Sequence, residues 1–257
     1  MMQYIGKELK FGFRSGKLLI LAASFLFFAL LTPVMLKIVL PQILQSQGVP
    51  SEDLSGIMSM TQTACIQIYM NDVFEIGTII IAFTLCGLLA QEIRDNTLVL
   101  PLCSGRHFVC IVGGKLSVFG LALIMIPVIA LIVNYLYAGL LYSYETELLP
   151  ILRAGILQGI YMVFLLSCIM MWGAILKKPV PAGFLTLASA FGLHFAGGLL
   201  GIHQWLPSGL LVQAQRLTEA LELSVFFTLT VTIALIIVMA VFTVMRLKSI
   251  EWNERQT

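Results

Sequence analysis

The sequence predicts an all-α membrane protein: six transmembrane helices with an N-terminal amphipathic interfacial helix, and with N- and C-termini cytoplasmic. Composition is the first reason, because 59% of the 257 residues are hydrophobic and only 11% are charged, whereas about a quarter of a soluble domain is charged. The second reason is a series of apolar runs, most of them close to the ~20 residues that cross a hydrocarbon core. The third is charge placement. With both ends inside, only Lys37, Arg153 and Arg216 of the fifteen Lys and Arg lie outside, as the positive-inside rule favours.

Residues 1–17 predict the amphipathic interfacial helix. Basic and apolar side chains recur there at helical spacing on two different faces, and such a helix lies flat in the headgroup layer. The basic face consists of Lys7, Lys10, Arg14 and Lys17, and the apolar face of Met2, Ile5, Leu9 and Phe13.

The whole chain, residues 1–257, is predicted to form a single transmembrane domain. Its second apolar run is short, so we expect it to take length from the moderately apolar segment 57–74, giving one long or broken helix. Pro33 is expected to end or kink the first span. Segment 203–222 is too polar to span and is predicted to be re-entrant or interfacial. The predicted spans are residues 18–36, 76–90, 116–140, 151–176, 180–202 and 223–245.

A charged stretch, residues 91–115, separates the second and third spans and is predicted to be a cytoplasmic loop. A bilayer core does not hold that many charges cheaply, so the stretch must lie in water or among the headgroups. Its charged side chains are Glu92, Arg94, Asp95, Arg106 and Lys115.

The sequence contains no recognisable catalytic motif: GxxxxGK[ST], HExxH and GxSxG are all missing. We therefore expect no catalytic residue, no cofactor bound by this chain and no ATP hydrolysis by the chain alone. The five cysteines are odd in number and form no CxxC pair, which argues against a disulfide framework. Cys103, His107 and Cys110 lie close together, but free thiols are the favoured interpretation because no fourth metal ligand is evident. No metal site is predicted.

The charged stretch resembles a known family of transport proteins. An acid at the inner end of span two is followed by an acid-x-Thr-Leu pattern, then by Ser and Arg, then by a Lys that opens span three. Together with the amphipathic start, the six spans and the half-polar segment before the last span, this arrangement resembles the ABC-2 type permeases. Asn96 stands where the family usually has Gly, and Gly105 replaces a usual Pro. The matching residues are Glu92, Asp95, Thr97, Leu98, Ser104, Arg106 and Lys115.

The resemblance implies the permease subunit of an ABC exporter in the cell (plasma or inner) membrane. Its expected partners are a second permease chain in a homodimer or heterodimer, the lipid bilayer, and a separate ABC ATPase subunit that binds ATP and Mg; no nucleic acid is expected. In the family, a short cytoplasmic helix between spans two and three fits a groove on the ATPase, and here that helix would be residues 92–100. The candidate coupling residues are Glu92, Arg94, Asp95, Thr97 and Arg106.

Polar side chains within the spans are candidates for a translocation path or for helix–helix contacts, since intramembrane polar groups serve both purposes. The apolar lining favours a hydrophobic or amphipathic cargo. Gly155 and Gly159 are spaced to let two helices approach closely. Asp72 and Glu75 form an outer rim that could gate an exit or attract cations, or that is simply solvated. The path candidates are Asn134, Tyr135, Gln158, Tyr161 and His194.

Two other classes remain open. A stand-alone secondary transporter or channel would move solute on an ion gradient without ATP. An intramembrane enzyme acting on lipids would need paired acids or a histidine with a carboxylate at one depth, and His194 has no carboxylate in any span near its own depth. A neighbouring gene for an ATPase would discriminate among these hypotheses.

Overall fold

The computed structural model describes residues 2–46, 61–103, 105, 107–217 and 223–250. Nearly all of these residues are helical, and no strand occurs among them. Six described helices are long and apolar enough to cross a membrane, which confirms a multi-pass all-α membrane protein. The helices are α1, Met2–Arg14; α2, Lys17–Ile43; α3, Gln62–Arg94; α4, Val99–Cys103; α5, Phe108–Tyr142; α6, Leu148–Leu176; α7, Pro179–Leu200; α8, Gly209–Gln215; and α9, Leu223–Lys248.

Most of the spanning helices run beyond the predicted limits; α5, for example, begins at Phe108 instead of at residue 116. α2 passes through Pro33 and continues past residue 36, with a π-helical turn at Met35–Val39 directly after the proline. α3 joins the moderately apolar segment to the short second run in one long helix, interrupted by a π turn at Val73–Gly77 and by a turn residue at Cys86. The second span therefore gains its missing length from the segment before it.

α6 lies at the centre of the bundle and contacts α3, α5, α7, α8 and α9. Its closest approach is to α5, where Gly155 and Gly159 face the backbone of Val128 and Ile124. A Cβ atom added to Gly159 would lie 2.7 Å from the Cα of Ile124, which is closer than two carbon atoms can pack. The close approach predicted from these two glycines is therefore present.

The spans alternate in direction, which gives the bundle two ends. At one end, here called the hairpin end, lie α1, the connection between α3 and α5, and the α6–α7 turn; Gly173 of α6 faces Ala90 of α3 there. The opposite end carries the α5–α6 loop and the segment between α7 and α9. That segment contains a 3-10 turn at His203–Trp205 and the short helix α8, which packs on α6 and α9 and is too short to span.

Candidate functional site: the hairpin between α3 and α5

The connection between α3 and α5, residues 95–107 and here called the hairpin, differs from the expected helix over residues 92–100. α3 ends at Arg94, a turn follows, and a separate short helix, α4, begins at Val99. Asn96 causes the break because its backbone is left-handed, with φ at 53°. The expectation of one helix over these residues is wrong, and the chain that links the two spans is shorter than the 91–115 stretch.

The end of α3 is closed by paired backbone hydrogen bonds around Asn96. The amide of Thr97 donates to the carbonyl of Glu92 at 3.0 Å, and the amide of Asn96 donates to the carbonyl of Ile93 at 3.2 Å. This is a Schellman cap, in which the left-handed residue satisfies carbonyls that the helix end would leave unpaired. The Thr97 hydroxyl also donates to the Glu92 carbonyl, at 3.3 Å.

Both departures from the ABC-2 pattern fall on left-handed residues. Asn96 has φ 53° and Gly105 has φ 78°. Asparagine is the side chain that most often replaces glycine in this conformation, whereas proline cannot adopt it because its ring fixes φ near −65°. Asn96 and Gly105 therefore both permit the left-handed backbone that the hairpin adopts.

A buried ion cluster lies directly beneath the hairpin. The Lys115 ammonium is 3.0 Å from Oε2 of Glu8 and 2.7 Å from Oε1 of Glu92. The side chains of Lys115, Glu8 and Glu92 are 0%, 3% and 23% exposed, respectively. One cation therefore holds carboxylates from two other elements, so that α1, α3 and α5 meet at a single atom.

Each member of the cluster depends on the others. Removing a charge from water costs several kcal/mol, and only a close opposite charge with good geometry compensates for that cost. Lys115 lies two turns inside α5, where its ammonium has no access to solvent, and the Phe11 ring lies 5.8 Å from it. Its ammonium forms ion pairs with the carboxylates of Glu8 and Glu92. The positions of these three side chains are therefore interdependent.

A groove of about 470 Å³ opens beside the cluster, between α1 and the end of α3. Its wall is chemically mixed. The second carboxylate oxygen of Glu92 is inaccessible to solvent and has no hydrogen-bond partner among the described residues. The side chains that line the groove include Lys7, Glu8, Phe11, Lys17, Gln91, Glu92, Asp95 and Thr97.

The predicted coupling residues fall into two groups. Arg94 and Asp95 are 52% and 43% exposed and form an ion pair with each other at 3.2 Å, so they face the outside of the hairpin end. Glu92 faces inward, into the cluster, and Thr97 is occupied in capping α3. Arg106, like Ser104 of the resemblance, lies outside the described residues.

The path candidates in α5 hold helices together. Asn134 is fully buried, and its amide nitrogen donates to the carbonyl of Ala29 at 2.9 Å, joining α5 to α2. The Tyr135 hydroxyl donates to the carbonyl of Thr146 at 3.0 Å, joining α5 to the loop that follows it. Both side chains are buried within the bundle.

The candidates in α6 and α7 lie against α3. The Gln158 amide donates to the carbonyl of Met70 at 3.4 Å. Tyr161 packs its ring on Phe74, with ring centroids 6.0 Å apart, and His194 packs on the same ring at 4.6 Å. The Gln158 carbonyl oxygen, the Tyr161 hydroxyl and Nδ1 of His194 are inaccessible atoms without a hydrogen-bond partner among the described residues.

The two outer-rim carboxylates have different surroundings. Asp72 accepts a hydrogen bond from the Thr32 hydroxyl at 3.2 Å, which ties α3 to α2. Glu75 is exposed, and its carboxylate lies 3.4 Å from the amide nitrogen of Asn71. Of the two, only Glu75 belongs to the exposed surface of the helix.

Sequence reasoning missed two of the most connected polar side chains. Glu8 is the one acid among the first seventeen residues, and that isolation in a basic helix was the available signal. Gln62 is fully buried at the opposite end. It donates to the Tyr135 carbonyl at 3.0 Å and accepts from the amides of Glu145 and Thr146 at 2.9 and 3.3 Å. Nothing in the residues around Gln62 distinguishes it from the neighbouring Gln67.

Within the described ranges, no three His, Cys, Asp or Glu side chains come together in a way that could hold a metal ion. Cys103, His107 and Cys110 are all described, and they form no such group.

No protein-family model, curated protein or solved structure matches the chain. Any function assigned to the protein depends on its own residues and their geometry.

Proposed function

We propose that this protein is the membrane-spanning permease subunit of an ABC-2 type transporter, exporting a hydrophobic or amphipathic substrate. A separate ATPase subunit would bind and hydrolyse ATP with Mg, and two permease chains would act together in the plasma or inner membrane. The observation that carries the proposal is the hairpin: a short capped turn with exposed charges, Arg94 and Asp95, joined to a buried ion cluster. A partner pressing on such a turn acts on three helices at once.

The orientation that the proposal needs has electrostatic support. The positive-inside rule favours a cytoplasmic location for the end of a bundle that is rich in Lys and Arg. At the opposite end the described basic residues are few: Lys37, Arg153 and Arg216. The described basic residues at the hairpin end are Lys7, Lys10, Arg14, Lys17, Arg94, Lys115, Lys177, Lys178, Arg246 and Lys248.

A stand-alone secondary transporter or channel is the second candidate, and one feature favours it. A pocket of about 390 Å³ opens beside α3 near the end opposite the hairpin, where polar and aromatic side chains from α3, α7 and α8 meet. Its lining includes Asn71, Phe74, His194, His203 and Gln215. A solute can bind in such a pocket without any contribution from an ATPase.

The test is purification of the tagged chain from its native host, followed by reconstitution of the complex in liposomes. We expect an ATPase subunit in the complex, and we expect the Arg94→Glu/Asp95→Arg variant to weaken its binding or to uncouple hydrolysis from transport. Because the Glu92 carboxylate pairs with Lys115, its reversal would damage the fold and is a poor probe. Glu145→Arg, at the opposite end, is the matched control.

Two results would contradict the proposal. Unchanged ATPase binding and coupling after reversal of both hairpin charges would remove the docking role of the hairpin. Solute uptake driven by an ion gradient in liposomes that contain the chain alone would instead establish the secondary transporter.

A further inference from the structure

We propose that Glu8 and Lys115 are positioning residues that fasten α1 to the hairpin, so that α1 moves with the hairpin during the ATPase cycle. This inference rests on the proposed function, and it adds a moving part that the resemblance does not assign. An amphipathic helix at a membrane surface ordinarily serves as an anchor. The contacts of α1 give it a second, mechanical connection.

The first argument is how α1 is attached. Its carboxylate at Glu8 reaches the buried ammonium of Lys115, and Gly12, one turn further on, packs against Leu18 and Phe119. A Cβ atom at position 12 would lie 2.8 Å from the Leu18 side chain, so the helix is seated closely on that side. The apolar side chains on its other faces, including Leu9 and Phe13, are exposed, and they suit contact with lipid.

The second argument is that Lys115 serves α1 and α3 simultaneously. Its ammonium is 3.0 Å from Glu8 and 2.7 Å from Glu92, and the Glu92 carbonyl accepts the bonds that cap the hairpin. A displacement of the hairpin changes the position of Glu92. Because a buried ammonium cannot exchange a lost carboxylate for water, Glu8 has to follow.

The third argument is a joint on the other side of α1. Gly16 separates α1 from α2 and is left-handed, with φ 73°, and a Cβ there would meet nothing within 4 Å. Glycine loses little by changing backbone angles in such open space. α1 is thus fixed to the hairpin by an ion pair and connected to its own neighbour by a glycine that can act as a hinge.

The decisive experiment measures whether α1 and the hairpin move together. In the first labelled variant, the exposed hairpin residue Cys103 carries one spin label, and the other four native cysteines are alanine. In the second, all five native cysteines are alanine and the label is on Lys10→Cys in α1. Each is paired with Glu147→Cys at the opposite end. Electron–electron double resonance then compares the complex without nucleotide and trapped with ATP and vanadate, using labelled chain diluted with unlabelled chain.

We expect both distances to change on trapping in the unmodified cluster. In Glu8→Gln, the change at position 10 should be lost, while the change at Cys103 and ATP hydrolysis persist. Arg14→Gln removes an exposed charge from the same helix, and both distances should change on trapping as they do in the unmodified protein. If the cluster only stabilised the fold, Glu8→Gln would affect the movement of α1 and the movement of the hairpin alike.

Three results would overturn the inference. The first is a hairpin that moves while α1 stays in place in the unmodified complex. The second is an α1 movement that Glu8→Gln leaves intact. The third concerns the chain alone in nanodiscs. We expect the spin label at position 10 to become more mobile in Glu8→Gln but not in Arg14→Gln, so equal label mobility in these two variants would disprove the attachment. If no ATPase joins the complex, the proposed function fails and the coupled movement fails with it, whereas the nanodisc measurement reports on the attachment separately.

Discussion

Lys115 is a residue whose removal should destabilise the fold strongly. Lys115→Met leaves the carboxylates of Glu8 and Glu92 at the hairpin end without their cation, and breaking a buried ion pair from one side typically costs about 3–5 kcal/mol. We expect a clear fall in the thermal unfolding midpoint of the purified protein in detergent. Lys10→Met, an exposed charge on α1, is the matched control and should change the midpoint little.

A triple variant separates the charge effect from packing. Replacing both acids by glutamine together with Lys115→Met removes every charge of the cluster, and neutral replacement of a buried ion cluster is often tolerated. The triple variant should therefore recover much of the stability that Lys115→Met loses. Two results would show that the cluster is not an interdependent unit. One is a Lys115→Met variant as stable as Lys10→Met, and the other is a triple variant less stable than Lys115→Met.

Gln62 makes the second residue-scale prediction, at the opposite end of the bundle. Gln62→Leu removes an acceptor from the amides of Glu145 and Thr146 and a donor from the Tyr135 carbonyl. Each group left buried and unpaired costs about 1–3 kcal/mol. We expect faster hydrogen exchange in a peptide covering residues 143–147, measured by mass spectrometry. Gln67→Leu, which loses a single exposed bond to the Gln215 carbonyl, should leave that peptide unchanged; equal effects would refute the role of Gln62.

At the scale of the element, the sequence predicted the helices better than their ends. Apolar runs locate spans because only a helix satisfies its backbone within lipid. The same runs do not show where a helix stops, because the stop depends on backbone angles. The end of α3 is set by the left-handed angle of Asn96, and α2 continues beyond Pro33 with a π turn directly after it. Both are local geometries that hydropathy does not encode.

The contact between α5 and α6 gives an element-scale prediction. In Gly159→Ala the added methyl group meets the Ile124 backbone at 2.7 Å, so the two central helices must separate, and such overpacking typically costs about 1–3 kcal/mol. Gly192→Ala adds the same group within α7, where nothing lies within 4 Å, and should be neutral or slightly stabilising because alanine is the better helix former. Thermal unfolding of the two variants compares them directly; a similar midpoint for both would contradict the close contact.

At the scale of the whole molecule, the candidate site was less predictable than the fold. Glu92, Arg94, Asp95 and Thr97 lie close together at the end of α3 because they are neighbours in sequence. The pairing of Lys115 with Glu8 joins residues 107 positions apart, and that pairing depends on how α1 folds back on α5. The path candidates likewise could not be separated from helix contacts until their partners were known, as the bond from Asn134 to the Ala29 carbonyl illustrates.

The direction of the whole bundle in the membrane decides whether an ATPase can reach the hairpin. A cysteine at Asp95, in a chain whose five native cysteines are alanine, should react with a membrane-impermeant maleimide in inverted vesicles but not in intact cells. A cysteine at Glu145, on the α5–α6 loop, should show the reverse, because the spans alternate in direction. The basic residues predict this orientation, since the hairpin end carries most of them and positive loops remain in the cytoplasm. Reaction of the Asp95 site from outside the cell would place the hairpin where no cytoplasmic ATPase could bind, and the proposed permease function would be wrong even with every helix contact intact.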